Sequence, residues 1–371
     1  MAMFDQASPE RIMIGGDESW EGVQAVDALA ALYAMWVPRS KIIASGLWSA
    51  ELSKLTANAF LAQRVSSINA ISALCENTGA DVNEVSFAIG VDSRIGRKGI
   101  QASVGFGGAC YEARLPTHLR NLVYLCKSYR LPAVATYWEH VIKMNDYQKS
   151  RFAKQIVSAM FNTVSGKKMT VLGFAYKKNT SDIRFSPAID VCKTLIRERA
   201  ALTIVDPQVA SQAIKVTFGL PLQLVGMTIL SLDRPRLLSI IQPVVVASRV
   251  DQPPHKKTRP PLLWFWWCLA RGVVVSFAGA HALIVLTDWD EFARLDYYRI
   301  YEKMQKPAFV FDGRNILDHE QLREIGFLVY AIGKPGAGNV VNPDIAERTV
   351  CQMISSLIAA ECLLSDLRHV A

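Results

Sequence analysis

The dinucleotide fingerprint GxGxxG does not follow a strand anywhere in the first hundred of the 371 residues. That glycine pattern normally lets a cofactor pyrophosphate approach the start of a helix. The chain also contains no Lys/Arg-rich block with interleaved aromatics, although its net charge is +8. Because the basic residues are spread along the chain, we expect small anionic ligands and no nucleic acid.

Signals of secretion and membrane insertion are equally scarce. The seven cysteines form no CxxC pair and no dense framework, which is typical of a reducing compartment. The first 13 residues are partly acidic and include no apolar run, unlike a signal peptide. The aromatic-rich stretch at 262–277 is interrupted by Arg271 and barely reaches the ~20 residues of a spanning helix. We interpret 211–277 as sequence foreign to the fold, such as a translated intron or a mis-joined segment, with an interfacial anchor as the alternative. We expect a cytoplasmic protein without a membrane partner.

Glycine and proline are absent from Leu47 to Thr78, where apolar residues recur every three or four positions. This spacing predicts one long helix. Two further helices, at 114–130 and 133–163, would complete a helical unit. Apolar residues on more than one side of so long a helix indicate a partner subunit, so we predict a dimer with this helix at the two-fold interface.

Elsewhere the pattern is α/β. A strand at 11–16 and a helix at 18–36 look like part of a larger α/β domain. From Lys167 onward, short apolar strands alternate with helices, which predicts a doubly wound parallel sheet with its ligand at the carboxyl ends of the strands. We expect four segments: 1–46 as a remnant of an α/β domain, 47–165 as the helical domain, 166–334 as the second α/β domain with a divergent, irregular insert at 211–277, and a divergent tail at 335–371. The predicted strands are 168–174, 201–207, 282–286, 308–311 and 327–330.

One glycine-rich turn, Val104 to Cys110, delivers a cysteine just before a predicted helix. Glycines let a ligand approach the backbone, and a nearby helix start favours the thiolate. A tight turn with a buried, inert cysteine is the alternative. Upstream, Lys54 and Asn58 lie one turn apart on the long helix, which suits a cation and an amide acting together.

Several motifs carry a family resemblance: WSAELSKLTANAF, SRIGRK, ASVGFGGAC, MNDYQKSRF, LGFAYKKNTSDIR, LTDWDEF and PAFVFDGRNILD. Together they resemble the UDP-glucose/GDP-mannose dehydrogenase family, and within it the UDP-glucose 6-dehydrogenases. The resemblance implies an NAD-binding domain, which this sequence lacks, a helical dimerisation domain and a UDP-binding α/β domain. It further implies NAD-dependent oxidation of UDP-glucose to UDP-glucuronate through a cysteine thiohemiacetal and thioester.

The resemblance also assigns roles to residues. Cys110 is the implied nucleophile, and Lys54 and Asn58 are the implied oxyanion stabilisers. Arg184, with Cys110, is implied to contact NAD, and Arg94 is implied to reach the substrate of a partner subunit. A solvated surface cation is the alternative for each basic residue. The other implied substrate contacts are Gln101, Ser103, Gly105, Phe106, Gly107, Tyr176, Lys177 and Arg314.

Departures from the family pattern affect activity. Tyr111 to His118 replace the family's Phe-Gln-Lys-Asp after the cysteine, so an aspartate that assists proton transfer is lost. We therefore expect impaired or absent NAD⁺ reduction by the isolated chain, with Cys110 still the most reactive of its thiols. A non-catalytic dimerisation or regulatory partner, or a pseudogene product, is the alternative.

Overall fold

A computed structural model describes residues 9–108, 118–219, 228–231 and 277–335. The chain divides into two compact units. The first contains residues up to 63 and residues 110–142, and the second contains residues 64–109 and those from 143 onward. Two long helices contribute residues to both units.

The first unit contains a parallel βαβ motif. Strand β1 (Ile12–Gly16), helix α1 (Trp20–Tyr33) and strand β2 (Ile42–Gly46) follow one another, and the two strands pair in parallel. The hydroxyl of Ser19 accepts the Gly22 N–H at 3.1 Å and fixes the start of α1. The predicted strand and helix are confirmed. β2 was not predicted, because its residues run without a break into the long helix.

The helices of the central region largely follow the sequence pattern. Helix α2 (Leu47–Thr78) has 32 residues, as predicted. Helix α4 (His118–Ser128) and helix α5 (Pro132–Ala159) confirm the other two, with shorter bounds. The structure adds helix α3 (Val82–Val91), which begins where the Asp81 carboxylate accepts the Asn83 N–H at 2.7 Å.

A six-stranded parallel sheet dominates the second unit. The strands are β3 (Lys168–Leu172), β4 (Ala201–Asp206), β5 (Thr228–Ser231), β6 (Ala282–Val285), β7 (Phe309–Asp312) and β8 (Leu328–Ala331). Their order in the sheet is β5-β4-β3-β6-β7-β8, the order of a doubly wound sheet built from two halves. The predicted fold class is therefore confirmed.

Helices cover this sheet, as the buried strands require. Every residue of β6 and β7 is buried, since a parallel sheet with helices on both faces exposes neither face to water. Phe152 and Ile156 of α5 belong to the same core. The remaining helices are α6 (Pro187–Arg197), α7 (Ser211–Phe218), α8 (Tyr297–Lys303) and α9 (His319–Ile325).

Two segments had been expected to be divergent. The expectation of irregular structure over 211–277 is wrong where the structure describes it, because α7 and β5 both lie there. A four-residue strand is too short to show a period, and its pairing with β4 defines it. The rest of this insert and the tail after Pro335 lie outside the described residues. No helix in the described ranges is long and apolar enough to cross a membrane.

Candidate functional site

The second unit brings the carboxyl ends of β3 and β6 together at the switch point of its sheet. β3 and β6 are neighbours, although they begin the two halves of the sheet. Beyond their ends, the Thr287 hydroxyl donates to the Ala175 carbonyl at 2.6 Å. Gly173 has φ +92°, and a Cβ there would lie 2.8 Å from the Thr287 nitrogen. In sheets of this type ligands bind outside the carboxyl ends of the strands at this point.

Arg314 lies at this edge, just after β7. Its guanidinium donates to the Leu286 carbonyl at 2.7 Å and to the Tyr176 carbonyl at 3.1 Å. Burial lowers the pKa of Arg314, and the charges of Asp288 and Asp312 oppose that shift. The side chain is therefore a fixed, partly desolvated cation, which suits a phosphate group.

The glycine-rich loop lies against the same edge. The Val104 N–H donates to the Gly313 carbonyl at 2.9 Å, and the Gly108 N–H donates to the Arg184 carbonyl at 2.8 Å. A Cβ on Gly108, which has φ +106°, would lie 2.7 Å from the ring of Tyr176. The structure thus brings the predicted loop together with Tyr176 and with the segment that precedes Arg314.

Three predicted cations lie nearer to solvent. Arg94, whose side chain is 87% exposed, pairs with Asp92, and this hydrogen bond raises the pKa of Arg94. The ammonium of Lys177 lies 5.5 Å from the ring centroid of Tyr176. Arg184 donates to both carboxylate oxygens of Asp182 at 3.0 and 2.9 Å and lowers the pKa of that carboxyl. Gln101, also predicted, is exposed.

Sequence reasoning missed the buried carboxylates that hold the loops at the carboxyl ends of the strands. The Asp206 carboxylate, fully buried, accepts the backbone N–H groups of Phe174 and Ala175 at 2.7 and 3.1 Å. Asp312 accepts from the Ile316 N–H at 3.0 Å. Both aspartates end apolar strands, and that position was the available signal. Further loop supports come from Asn69, Asn145 and Gln148, described below.

In the first unit, Lys54 and Asn58 line one cleft of about 520 Å³ between β1 and α2. The Asn58 amide nitrogen contacts Nδ1 of His118 at the start of α4. Burial lowers the pKa of His118, and the charge of Lys54 lowers it further, while Glu51 opposes both. The predicted cation and amide therefore do share a cleft.

Cys110 lies outside the described residues, so its assignment stays a prediction. Cys75, Cys126 and Cys192 are buried free thiols. Burial raises the pKa of Cys75 and of Cys192, which disfavours their reactive thiolate forms.

The turn before α1 does not fit the pyrophosphate of NAD. Where α1 begins, Asp17 accepts the Ser19 N–H at 2.8 Å, and Glu18 stands beside it. Carboxylates at that position repel a phosphate that would otherwise bind the helix start. No group of three candidate metal ligands occurs within the described ranges.

The parallel sheet, with its switch point between β3 and β6, and the added helical region define a doubly wound α/β protein. A model of the UDP-glucose/GDP-mannose dehydrogenase family, central domain, matches residues 48–147. The model of that family's UDP binding domain matches residues 170–233 and 267–319. The chain belongs to the UDP-glucose/GDP-mannose dehydrogenase family. The second match corrects the expectation that 211–277 departs from the family throughout.

Similar proteins and a solved structure support this family assignment. The chain is 52% identical to UDP-glucose 6-dehydrogenase 5 of Oryza sativa subsp. japonica, over 90% of this chain and 64% of that protein. It is 51% identical to UDP-glucose 6-dehydrogenase 3 of Arabidopsis thaliana, over the same shares. A UDP-glucose dehydrogenase from Pyrobaculum islandicum superposes with a TM-score of 0.63 at 26% identity, covering 90% of this chain and 61% of that one. The chain thus spans less than two thirds of the length of these proteins.

Proposed function

We propose that the chain binds a UDP-sugar and serves the NAD-dependent oxidation of UDP-glucose to UDP-glucuronate. The observation that carries this proposal is the position of Arg314 at the switch point, next to the glycine-rich loop. A part-buried guanidinium held by two backbone carbonyls is preorganised for a diphosphate.

The reacting groups are proposed from the family. The Cys110 thiolate would add to the aldehyde carbon, and its electron pair would form the new S–C bond. The Lys54 ammonium and the Asn58 amide would stabilise the resulting oxyanion. Their shared cleft in the first unit supports this pairing.

NAD is proposed as the hydride acceptor, with Arg184 as its contact among the described residues. Because the turn before α1 does not fit a pyrophosphate, we expect the purified chain to show no UDP-glucose-dependent NADH formation. A measurable increase in absorbance at 340 nm would contradict this.

The second candidate function is a homodimer that binds UDP-sugar without turnover. It is favoured by the poor fit of a pyrophosphate to the turn before α1. It is also favoured by three apolar side chains of α2 that are more than half exposed, Trp48, Phe60 and Leu74. The four predicted segments and a cytoplasmic location remain part of the proposal.

Calorimetric titration with UDP tests the binding step. We expect saturable binding by the intact chain and at least a tenfold weaker affinity in Arg314→Met, because a charge-assisted phosphate contact is lost. Arg323→Met is the matched control, since Arg323 is an exposed arginine on α9. Absence of UDP binding by the folded, unsubstituted chain would refute the proposal.

A further inference from the structure

Helix α5 carries two buried amides that bond to the main chain of the glycine-rich loop and of Ser103, which directly precedes it. Oδ1 of Asn145 accepts the Phe106 N–H at 2.9 Å, and Nδ2 donates to the Phe106 carbonyl at 3.2 Å. One side chain therefore satisfies both polar groups of one loop residue, as a neighbouring strand would. Asn145 is 8% exposed, so water competes little for these two hydrogen bonds.

The second amide lies three residues further along α5, on the same face. Nε2 of Gln148 donates to the Ser103 carbonyl at 2.8 Å, and the Ser103 N–H donates to Oδ1 of Asn69 on α2 at 2.8 Å. Gln148 is fully buried. Both ends of the segment 103–106 are thus held by side-chain amides.

Gly105, between these two attachment points, makes the close approach possible. Its φ is +134°, and a Cβ there would lie 2.7 Å from Oδ1 of Asn145. A side chain at this position would displace the amide that holds Phe106.

The orientation of the Gln148 amide is itself fixed. Arg151 donates to Oε1 of Gln148 from Nε at 3.2 Å and from a terminal nitrogen at 2.9 Å. Arg151 also pairs with Glu76, whose other oxygen accepts the Gly333 N–H at 2.8 Å. With its oxygen held by a cation, the amide presents its N–H to Ser103.

We propose that Asn145 and Gln148 are positioning residues that hold segment 103–106 in the conformation that receives the sugar nucleotide. The inference rests on the proposed function, because it assigns the loop its ligand. A loop held in its binding conformation loses little conformational entropy when the ligand binds, so these amides raise affinity without touching the ligand.

The test uses the full chain with Asn145→Asp and Gln148→Glu. Each substitution keeps the acceptor oxygen but replaces the donor N–H with an oxygen opposite a backbone carbonyl. Gln155→Glu is the matched control, the same change on the same helix at a half-exposed position. Amide hydrogen exchange of residues 101–108 should become about tenfold faster in both variants, the effect of one lost buried hydrogen bond. Exchange in β3 and β6 should match the control.

UDP titration of the same variants tests the functional half. We expect about tenfold weaker binding in Asn145→Asp and Gln148→Glu and unchanged binding in Gln155→Glu. Unchanged exchange in the loop, equal acceleration throughout the second unit, or a loosened loop with unchanged UDP affinity would each overturn the inference. If the unsubstituted chain binds no UDP, the proposed function fails, and the exchange data alone decide whether the amides hold the loop.

Discussion

Replacing Gly107 by alanine perturbs the candidate site with a single methyl group. A Cβ at this position would lie 2.7 Å from the carbonyl carbon of Phe185, closer still to its oxygen, and 3.2 Å from the Cα of Ser186. All of these are main-chain atoms, which cannot rotate away as a side-chain end can. The backbone of Gly107 is not in the left-handed region, so the effect is steric alone.

The segment facing Gly107 has little freedom to yield. Ser186 caps α6, where its hydroxyl accepts the Ala188 N–H at 3.3 Å, and Ser186 itself is buried. Forcing a methyl into such packing typically costs about 1–3 kcal/mol. If the loop moves instead, the same cost appears in binding, as roughly a 5- to 150-fold loss of UDP affinity.

Urea unfolding and UDP titration together show whether the added methyl group lowers the stability of the fold or the affinity for UDP. We expect Gly107→Ala to lower the free energy of unfolding, the UDP affinity, or both, by a total within that range. Gly46→Ala is the control, because the nearest atom to a Cβ there is a Glu18 carboxylate oxygen at 3.8 Å. If Gly107→Ala matches the unsubstituted chain in both measurements, the loop does not pack against residues 185–186 as described.

Three other expectations follow from burial and charge. Asp206→Asn should lower the free energy of unfolding in urea by about 3 kcal/mol, because the buried carboxylate accepts several N–H groups; an unchanged midpoint would contradict it. Burial raises the pKa of Glu76 above its ordinary value of 4.5, although the charge of Arg151 opposes this shift. The folded state therefore keeps the proton to higher pH than the unfolded state does, and the stability falls as the pH rises from the unfolded pKa through the folded one. The stability of Glu76→Gln relative to the unsubstituted chain should therefore increase as the pH rises above 4.5, and parallel pH profiles would refute this. Light scattering at micromolar concentration should show a dimer, and a monomer would count against the interface on α2.

Much of the fold follows from local sequence patterns. The absence of glycine and proline predicted α2 with its observed bounds. The apolar runs ending in Asp206 and Asp312 predicted two of the six strands to within a residue or two, because a strand buried on both faces is apolar at nearly every position. β5 and α3 escaped prediction because short elements show too little period, and pairing or capping with distant residues defines them.

The features of the candidate site likewise separate into those that the sequence predicted and those that only the tertiary structure revealed. The sequence by itself determined the glycine-rich turn, the cation and amide one helical turn apart, and the family to which the motifs belong. Only the tertiary structure distinguished Arg314, held by the Leu286 and Tyr176 carbonyls, from Arg94, which lies in solvent with Asp92. It alone showed that Asn145 bonds to the main chain of a loop 39 residues away. Local periodicity encodes helices and strands, whereas burial and partnership depend on which distant segments the fold brings into contact.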